Sequence, residues 1–245
     1  MTPCSFRMDL AYKEGIVMRV TAYVCTLLLS VPAVAFAQGE WTEYRNIQDG
    51  FKILFPGQPR VTTITWVSES GLTLPGRVYS VDRGPERYSV TVADYSGIEQ
   101  QGIERAKTCP VKGFETCEGG AIQGIGYWKH DTRGAIIYAT HKLMQRDVKV
   151  TEFTWGQQDL VEGHYLQTTS NVDQSRTTAF IAMNQMKLYI FEATVPKGYP
   201  QPLQFQVSQG WVDKNGNGYR YRSMYNNEFH EIEGHPEPQA NPTQD

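Results

Sequence analysis

The sequence predicts an α+β domain, mainly an antiparallel β-sheet with flanking helices. Three observations carry this. Runs that alternate apolar and polar residues recur between Gly50 and Val195. The connections between most of them are short and rich in Gly, Pro, Asn or Asp, too short for parallel crossovers. Helical patterning is confined to a few segments, so helices cover the sheet rather than alternate with its strands.

In chain order, Gly50–Phe55 is a short strand that stops at the turn pair Pro56-Gly57. Val61–Val67 alternates threonine with apolar residues. Arg77–Asp82 and Tyr88–Tyr95 keep the two-residue period, with Tyr88, Val90, Val92 and Asp94 on one face. Arg83-Gly84-Pro85-Glu86 turns the chain between them. Ser96–Lys107 reads as a short polar helix whose large apolar residues are Ile98 and Ile103, with Ser96 as N-cap. Glu118–Lys129 is glycine-rich and follows neither period. Ala135–Leu143, Val148–Thr154, Gly163–Thr169, Arg176–Met183 and Leu188–Val195 are expected as strands. Asn171–Ser175 and Gln185–Lys187 are expected as hairpin connections, and Pro196-Lys197-Gly198 ends the last strand. Leu203, Val207 and Trp211 fall at i, i+4 and i+8, which predicts a C-terminal helix over Gln204–Val212.

The first 37 residues look like targeting rather than fold. From Met18 the chain runs Arg19, then an uncharged apolar stretch from Val20 to Val34, then Ala35-Phe36-Ala37. That is the charged, apolar and small-residue order of a cleaved secretory signal, 18–37. Asp9 and Glu14 sit badly ahead of such a region, so translation is expected to start at Met18, with 1–17 an upstream extension. Residues 38–232 then form a single domain, a normal domain size, and the proline-bearing 233–245 a disordered tail. No stretch after Ala37 is apolar enough to span a bilayer, so no membrane insertion is expected after cleavage. The formal net charge of −3 offers no basic stripe for phosphates, which argues against nucleic-acid binding. The expected location is periplasmic or secreted. There, Cys109 and Cys117 read as a disulfide across a loop containing Pro110 and Gly113.

Trp41-Thr42-Glu43-Tyr44, followed by Asp49-Gly50-Phe51-Lys52-Ile53-Leu54-Phe55-Pro56, resembles the opening of PsbP-like domains. This family comprises the extrinsic photosystem II protein and bacterial relatives such as the DcrB-like periplasmic group. The late segments Arg176–Ala182 and Leu188–Val195, and the helix expected around Phe205, are similar in pattern over most of Trp41–Val212. The resemblance implies an antiparallel sheet between helices, an α/β/α sandwich. It implies no single activity, since relatives serve as assembly factors and accessory subunits.

Local chemistry is sparse. Asp213, Asn215 and Asn217, with Gly218, match the first half of a calcium loop, but Met224 stands where the bidentate Glu belongs; a Gly/Asn turn is the rival reading. His230-Glu231-Ile232-Glu233-Gly234-His235 misses the H-E-x-x-H spacing by one residue. His130, His141 and His164 are scattered, and neither a nucleophile elbow nor a phosphate loop occurs. Tyr219, Arg220, Tyr221, Arg222 and Tyr225 are residue types favoured at interface cores, and equally the aromatic face of a strand packed on a sheet. The expected function is a non-catalytic accessory or protein-binding module of the cell envelope, with another envelope protein as partner. The alternatives are a hydrolase with a dispersed site, or a calcium or small-molecule binder using Asp213–Gly218.

Overall fold

The computed structural model describes residues 40–107, 127–225 and 239–240, all within one compact unit, Gly39–Asp245. The expected leader, the upstream extension, the Cys109–Cys117 loop and the His230–His235 stretch lie outside the described residues. In chain order the elements are β1 (Thr42–Asn46), β2 (Phe51–Phe55), β3 (Arg60–Val67), β4 (Thr73–Arg83) and β5 (Glu86–Asp94). Two helices follow, α1 (Ile98–Lys107) and α2 (Tyr127–Met144). Next come β6 (Val148–Gln158), β7 (Val161–Ser170), β8 (Arg176–Asn184) and β9 (Lys187–Val195). The five-residue helix α3 (Leu203–Val207), β10 (Gly210–Val212), β11 (Gly218–Arg220) and β12 (Gln239–Ala240) complete the order.

Seven strands form one antiparallel sheet in the order β3-β4-β5-β9-β8-β7-β6. A smaller antiparallel sheet has the order β1-β2-β10-β11-β12, so the first strands of the described chain pair with the last. Strand β8, next to the central β9, is buried continuously from Thr178 to Asn184 because both its faces are covered. Phe180 and Ala182 point toward the small sheet, into a core with Phe51, Tyr189, Phe191 and Trp211. Ala179, Ile181 and Met183 point the other way, into a core with Ile98 of α1 and Ala135, Ala139 and Leu143 of α2.

The α+β prediction holds, as do the strands from Gly50–Phe55 to Leu188–Val195 other than Ala135–Leu143. One face of the large sheet carries α1 and α2; among the described residues the other carries the small sheet and the short α3. Ala135–Leu143 is helical, not a strand. Its Ile136, Ile137 and Thr140 favour strands, but Ala135, Ala139 and Leu143 make an i, i+4, i+8 stripe that lies against the sheet. The helix expected over Gln204–Val212 is shorter. Leu203 and Val207 are exposed, Phe205 is the buried anchor, and beyond Ser208 the chain turns into β10, which pairs with β2. Ser96 does not cap α1; its amide and hydroxyl both donate to the Asp94 carboxylate. Within the expected tail, Gln239 and Ala240 pair with β11.

A buried carboxylate ties the two sheets together. Asp49, in the turn between β1 and β2, is fully buried. It accepts two hydrogen bonds from the Arg77 guanidinium on β4, the Nε one at 2.7 Å, and another from the Tyr79 hydroxyl at 2.5 Å. Lys187 on β9 lies 3.6 Å away. The Asp49 amide donates to Asn46 Oδ1, and its carbonyl accepts from the Tyr189 hydroxyl. Burial alone would raise the Asp49 pKa, but the hydrogen bonds from Arg77 and Tyr79, with the charges of Arg77 and Lys187, outweigh it and hold the carboxyl below the ordinary value. On the opposite face, the buried Asp131 of α2 accepts from the hydroxyls of Ser68 (2.7 Å) and Ser70 (2.6 Å), fixing that helix to the β3–β4 connection.

Candidate functional site

Two features of the β6 end of the large sheet stand out. The first is the edge itself. β6 is eleven residues long and pairs with β7 on one side; among the described residues no strand pairs with its outer side. Its side chains are mostly exposed, including Val150, Phe153 and Trp155. The register sets their direction. Phe153 stands opposite Leu166 and Trp155 opposite His164, on the face that α2 covers further in. The two rings meet the His164 imidazole edge to face, at 5.0 and 4.7 Å. His164 is buried, its Nδ1 is 2.8 Å from the Thr140 hydroxyl, and burial holds its pKa below the ordinary value. A bulge follows Val150, a device that discourages indiscriminate strand pairing, but from Glu152 to Gln158 the ladder is regular.

The second feature is a cavity of about 380 Å³ on the other face of the same strands. Two cross-strand rows form its floor: Thr154, Tyr165, Phe180 and Phe191, and beside them Glu152, Gln167 and Thr178. Tyr165 and Phe180 pack with their ring centroids 4.7 Å apart and their planes tilted by 33°. Gly156 leaves room for the Tyr165 ring, since a Cβ there would come within 2.2 Å of its Cδ2–Cε2 edge. The far wall is α3 and the residues around it, Gln201 to Gln209. Phe205 holds α3 in place by packing on Phe55 and Tyr88, at 5.6 and 5.4 Å. Ser208 adds a hydrogen bond, its Oγ accepting from the Leu54 amide.

The residues singled out by sequence are not gathered at either feature. Asp213, Asn215 and Asn217 form the β10–β11 hairpin. There the Asp213 carboxylate accepts from the amides of Asn215 and Asn217, both at 2.8 Å, and Gly216 takes a left-handed conformation. Those bonds hold the Asp213 carboxyl below its ordinary pKa against a desolvation that raises it. Among the described residues, no group of three or more His, Cys, Asp or Glu is placed to hold a metal ion. Tyr219, Tyr221 and Tyr225 are buried, which removes their rings from any exposed recognition patch; of that set, only Arg220 and Arg222 are exposed. Their hydroxyls anchor the β8–β9 hairpin: Tyr219 accepts from Asn184, Tyr221 donates to Asn184, and Tyr225 accepts from the Gln185 amide. Burial pushes the Tyr225 phenol up to about 12. His141 is exposed on α2.

Sequence reading missed both features. An edge strand and an inner strand share one period, and strand order is set by pairings across the whole chain. A partial signal existed in Phe153-Thr154-Trp155, two aromatic residues spaced for one face.

No protein-family model matches the chain, and no curated protein does. Among solved structures, the solution structure of cyanobacterial PsbP (CyanoP) from Synechocystis is similar at a TM-score of 0.39 and 14% sequence identity. The match covers 73% of this chain and 96% of that chain.

Proposed function

We propose that this chain is an exported, non-catalytic accessory module of the cell envelope, PsbP-like in origin, that holds an extended segment of another envelope protein along β6. The observation that carries this reading is the outer edge of an eleven-residue strand, unpaired among the described residues and bearing exposed Phe153 and Trp155. An added strand satisfies the outward amides and carbonyls of β6, and its alternate side chains fall on the two aromatic rings. Covering both rings would remove roughly 200 Å² of apolar surface from water, on the order of 5 kcal/mol before the costs of association. The apolar leader and the A-x-A site at Ala35–Ala37 support export. No helix among the described residues is long and apolar enough to cross a membrane.

A photo-crosslinking residue at Phe153, with a control at the exposed Val172 on the β7–β8 connection, tests the edge. In living cells an adduct with a second envelope protein is expected from position 153 and not from 172, and Trp155→Glu is expected to abolish it. Equal labelling from both positions, or none from 153, removes the proposal. Export and the cysteine pair are read separately from the mass of the purified protein. The expected mass begins at Gln38 and rises by about 2 Da on reduction. A mass including residues 18–37, or no change on reduction, would overturn that part.

A further inference from the structure

We propose that His164 is an acid-sensitive latch beneath the β6 edge: the neutral ring seats Phe153 and Trp155, and its protonation releases β6 from β7. One hydrogen bond fixes where the proton must go. The Thr140 hydroxyl has a single hydrogen, which it donates to the Ile136 carbonyl at 2.8 Å. Thr140 Oγ1 therefore accepts from His164 Nδ1, also at 2.8 Å, and Nδ1 carries the hydrogen of the neutral ring. Nε2 is then the nitrogen with the lone pair. It is buried and has no hydrogen-bond partner. A proton added there makes an N–H with nothing to accept it and puts a charge inside an apolar shell.

Among the described residues that shell holds no counter-ion. Phe153 and Trp155 pack on the ring from β6, and Ile181 stands opposite it on β8. Along β7 the same-face neighbours are Leu166 and Glu162. On α2, Thr140 meets the ring and the charged side chains are engaged or exposed elsewhere. Asp131 accepts from Ser68 and Ser70, Lys142 lies over the Trp66 and Tyr138 rings, and Arg133 and His141 are exposed. Lys149 and Glu152 of β6 belong to the opposite face, by their pairing with Thr169 and Gln167. Burial is the one influence on the His164 pKa, and no charge contributes, Glu162 included. Two aromatic rings compensate a cation only in part. The weak side of the shell is β6, which has one ladder, a bulge after Val150 and mostly exposed side chains. Lifting it opens the imidazole to water, where the cation is solvated. The folded value lies below the ordinary one of about 6.5, so the closed edge is at full strength above that pH and weakens beneath it. The open fraction is expected to grow about tenfold per pH unit until the folded value is reached. Capture of a partner segment is expected to fade over the same range, a consequence that rests on the docking edge proposed above; the latch itself needs no partner.

Hydrogen exchange of the full-length protein, corrected for the intrinsic effect of pH and read by mass spectrometry, tests this. Protection of β6 is expected to drop about tenfold from about pH 6.5 to about pH 5.5, while β8 and β9 stay protected. His164→Asn keeps a donor for Thr140 and cannot titrate; His164→Phe fills the site with a ring that takes no proton. In both, protection of β6 is expected to be independent of pH over this range. NMR titration of the native chain decides the matter even if both variants misfold: the His164 imidazole is expected to titrate below about 6.5, with the Trp155 indole resonance shifting in step. The inference is overturned by constant β6 protection, by equal loss in β8 and β9, by variants that keep the native pH dependence, or by a His164 that titrates at or above about 6.5. A β6 that opens in acid yet yields no partner adduct at any pH would remove the docking proposal and leave the latch standing.

Discussion

Asp49→Ala is expected to destabilise the fold by about 3–5 kcal/mol, measured by urea or guanidinium unfolding at neutral pH. The substitution strands the Arg77 guanidinium and the Tyr79 hydroxyl, both built around that carboxylate, and leaves Lys187 without its nearby negative charge. It also loosens the turn that carries β1 and β2 onto the large sheet. Asp49→Asn keeps the shape and separates charge from packing; it is expected to lose less. The pH dependence has a definite sign. The folded-state pKa of Asp49 lies below its unfolded value, so its contribution is complete above the ordinary carboxylate value of about 4 and fades as pH falls through the folded value. The gap in stability between the native chain and Asp49→Asn is therefore expected to be widest near neutrality and to close in acid. A gap that is constant with pH, or a loss under 1 kcal/mol for Asp49→Ala, would show that the sheets are held together by other contacts.

Trp211→Ala is expected to cost a similar amount, about 3–5 kcal/mol, by a different route. Trp211 is fully buried in β10, packs on Tyr189 at 5.0 Å and Phe191 at 6.1 Å, and donates from Nε1 to the Gln158 carbonyl at 3.0 Å. Truncation opens a cavity between the sheets and orphans a carbonyl at the β6–β7 turn. Trp211→Phe fills most of the space and loses only the hydrogen bond, so about 1–3 kcal/mol is expected for it. Equal losses for the two variants would mean that the indole N–H, not the ring, carries the effect. Near-neutral behaviour of both would mean that β10 does not help to dock the small sheet.

The large sheet was legible because its signals are local. Tyr88, Val90 and Val92 alternate inward along β5, and the Gln185-Met186 turn has its two-residue hairpin spacing. The segments that misled were those where residue type and spacing disagree. In Ala135–Leu143 the β-branched residues suggested a strand, while two alanines and a leucine spaced by four defined the surface that packs. In Gln204–Val212 the stripe Leu203–Val207–Trp211 was helical in spacing, but Gly210 approaches the Lys52 side chain so closely that a Cβ there would come within 2.8 Å of Lys52 Cε. That pairing, made across the length of the domain, ended the helix. The candidate site was largely hidden for the same reason. Gln209 and Thr178 are unremarkable polar residues until β8 and the segment after α3 bring them to one cavity.

The pairing of β2 with β10 has a consequence for biogenesis. A ribosome delivers β1 and β2 early, yet the neighbour that shields their inner edge is not synthesised until residue 210. Until then Phe51, Ile53 and Phe55 have no completed surface to close against. Such long-range closure makes acquisition of the native state slow and late. A nascent chain of this design stays loose for most of its synthesis, the condition a polypeptide needs if it is to be threaded through a narrow secretion channel.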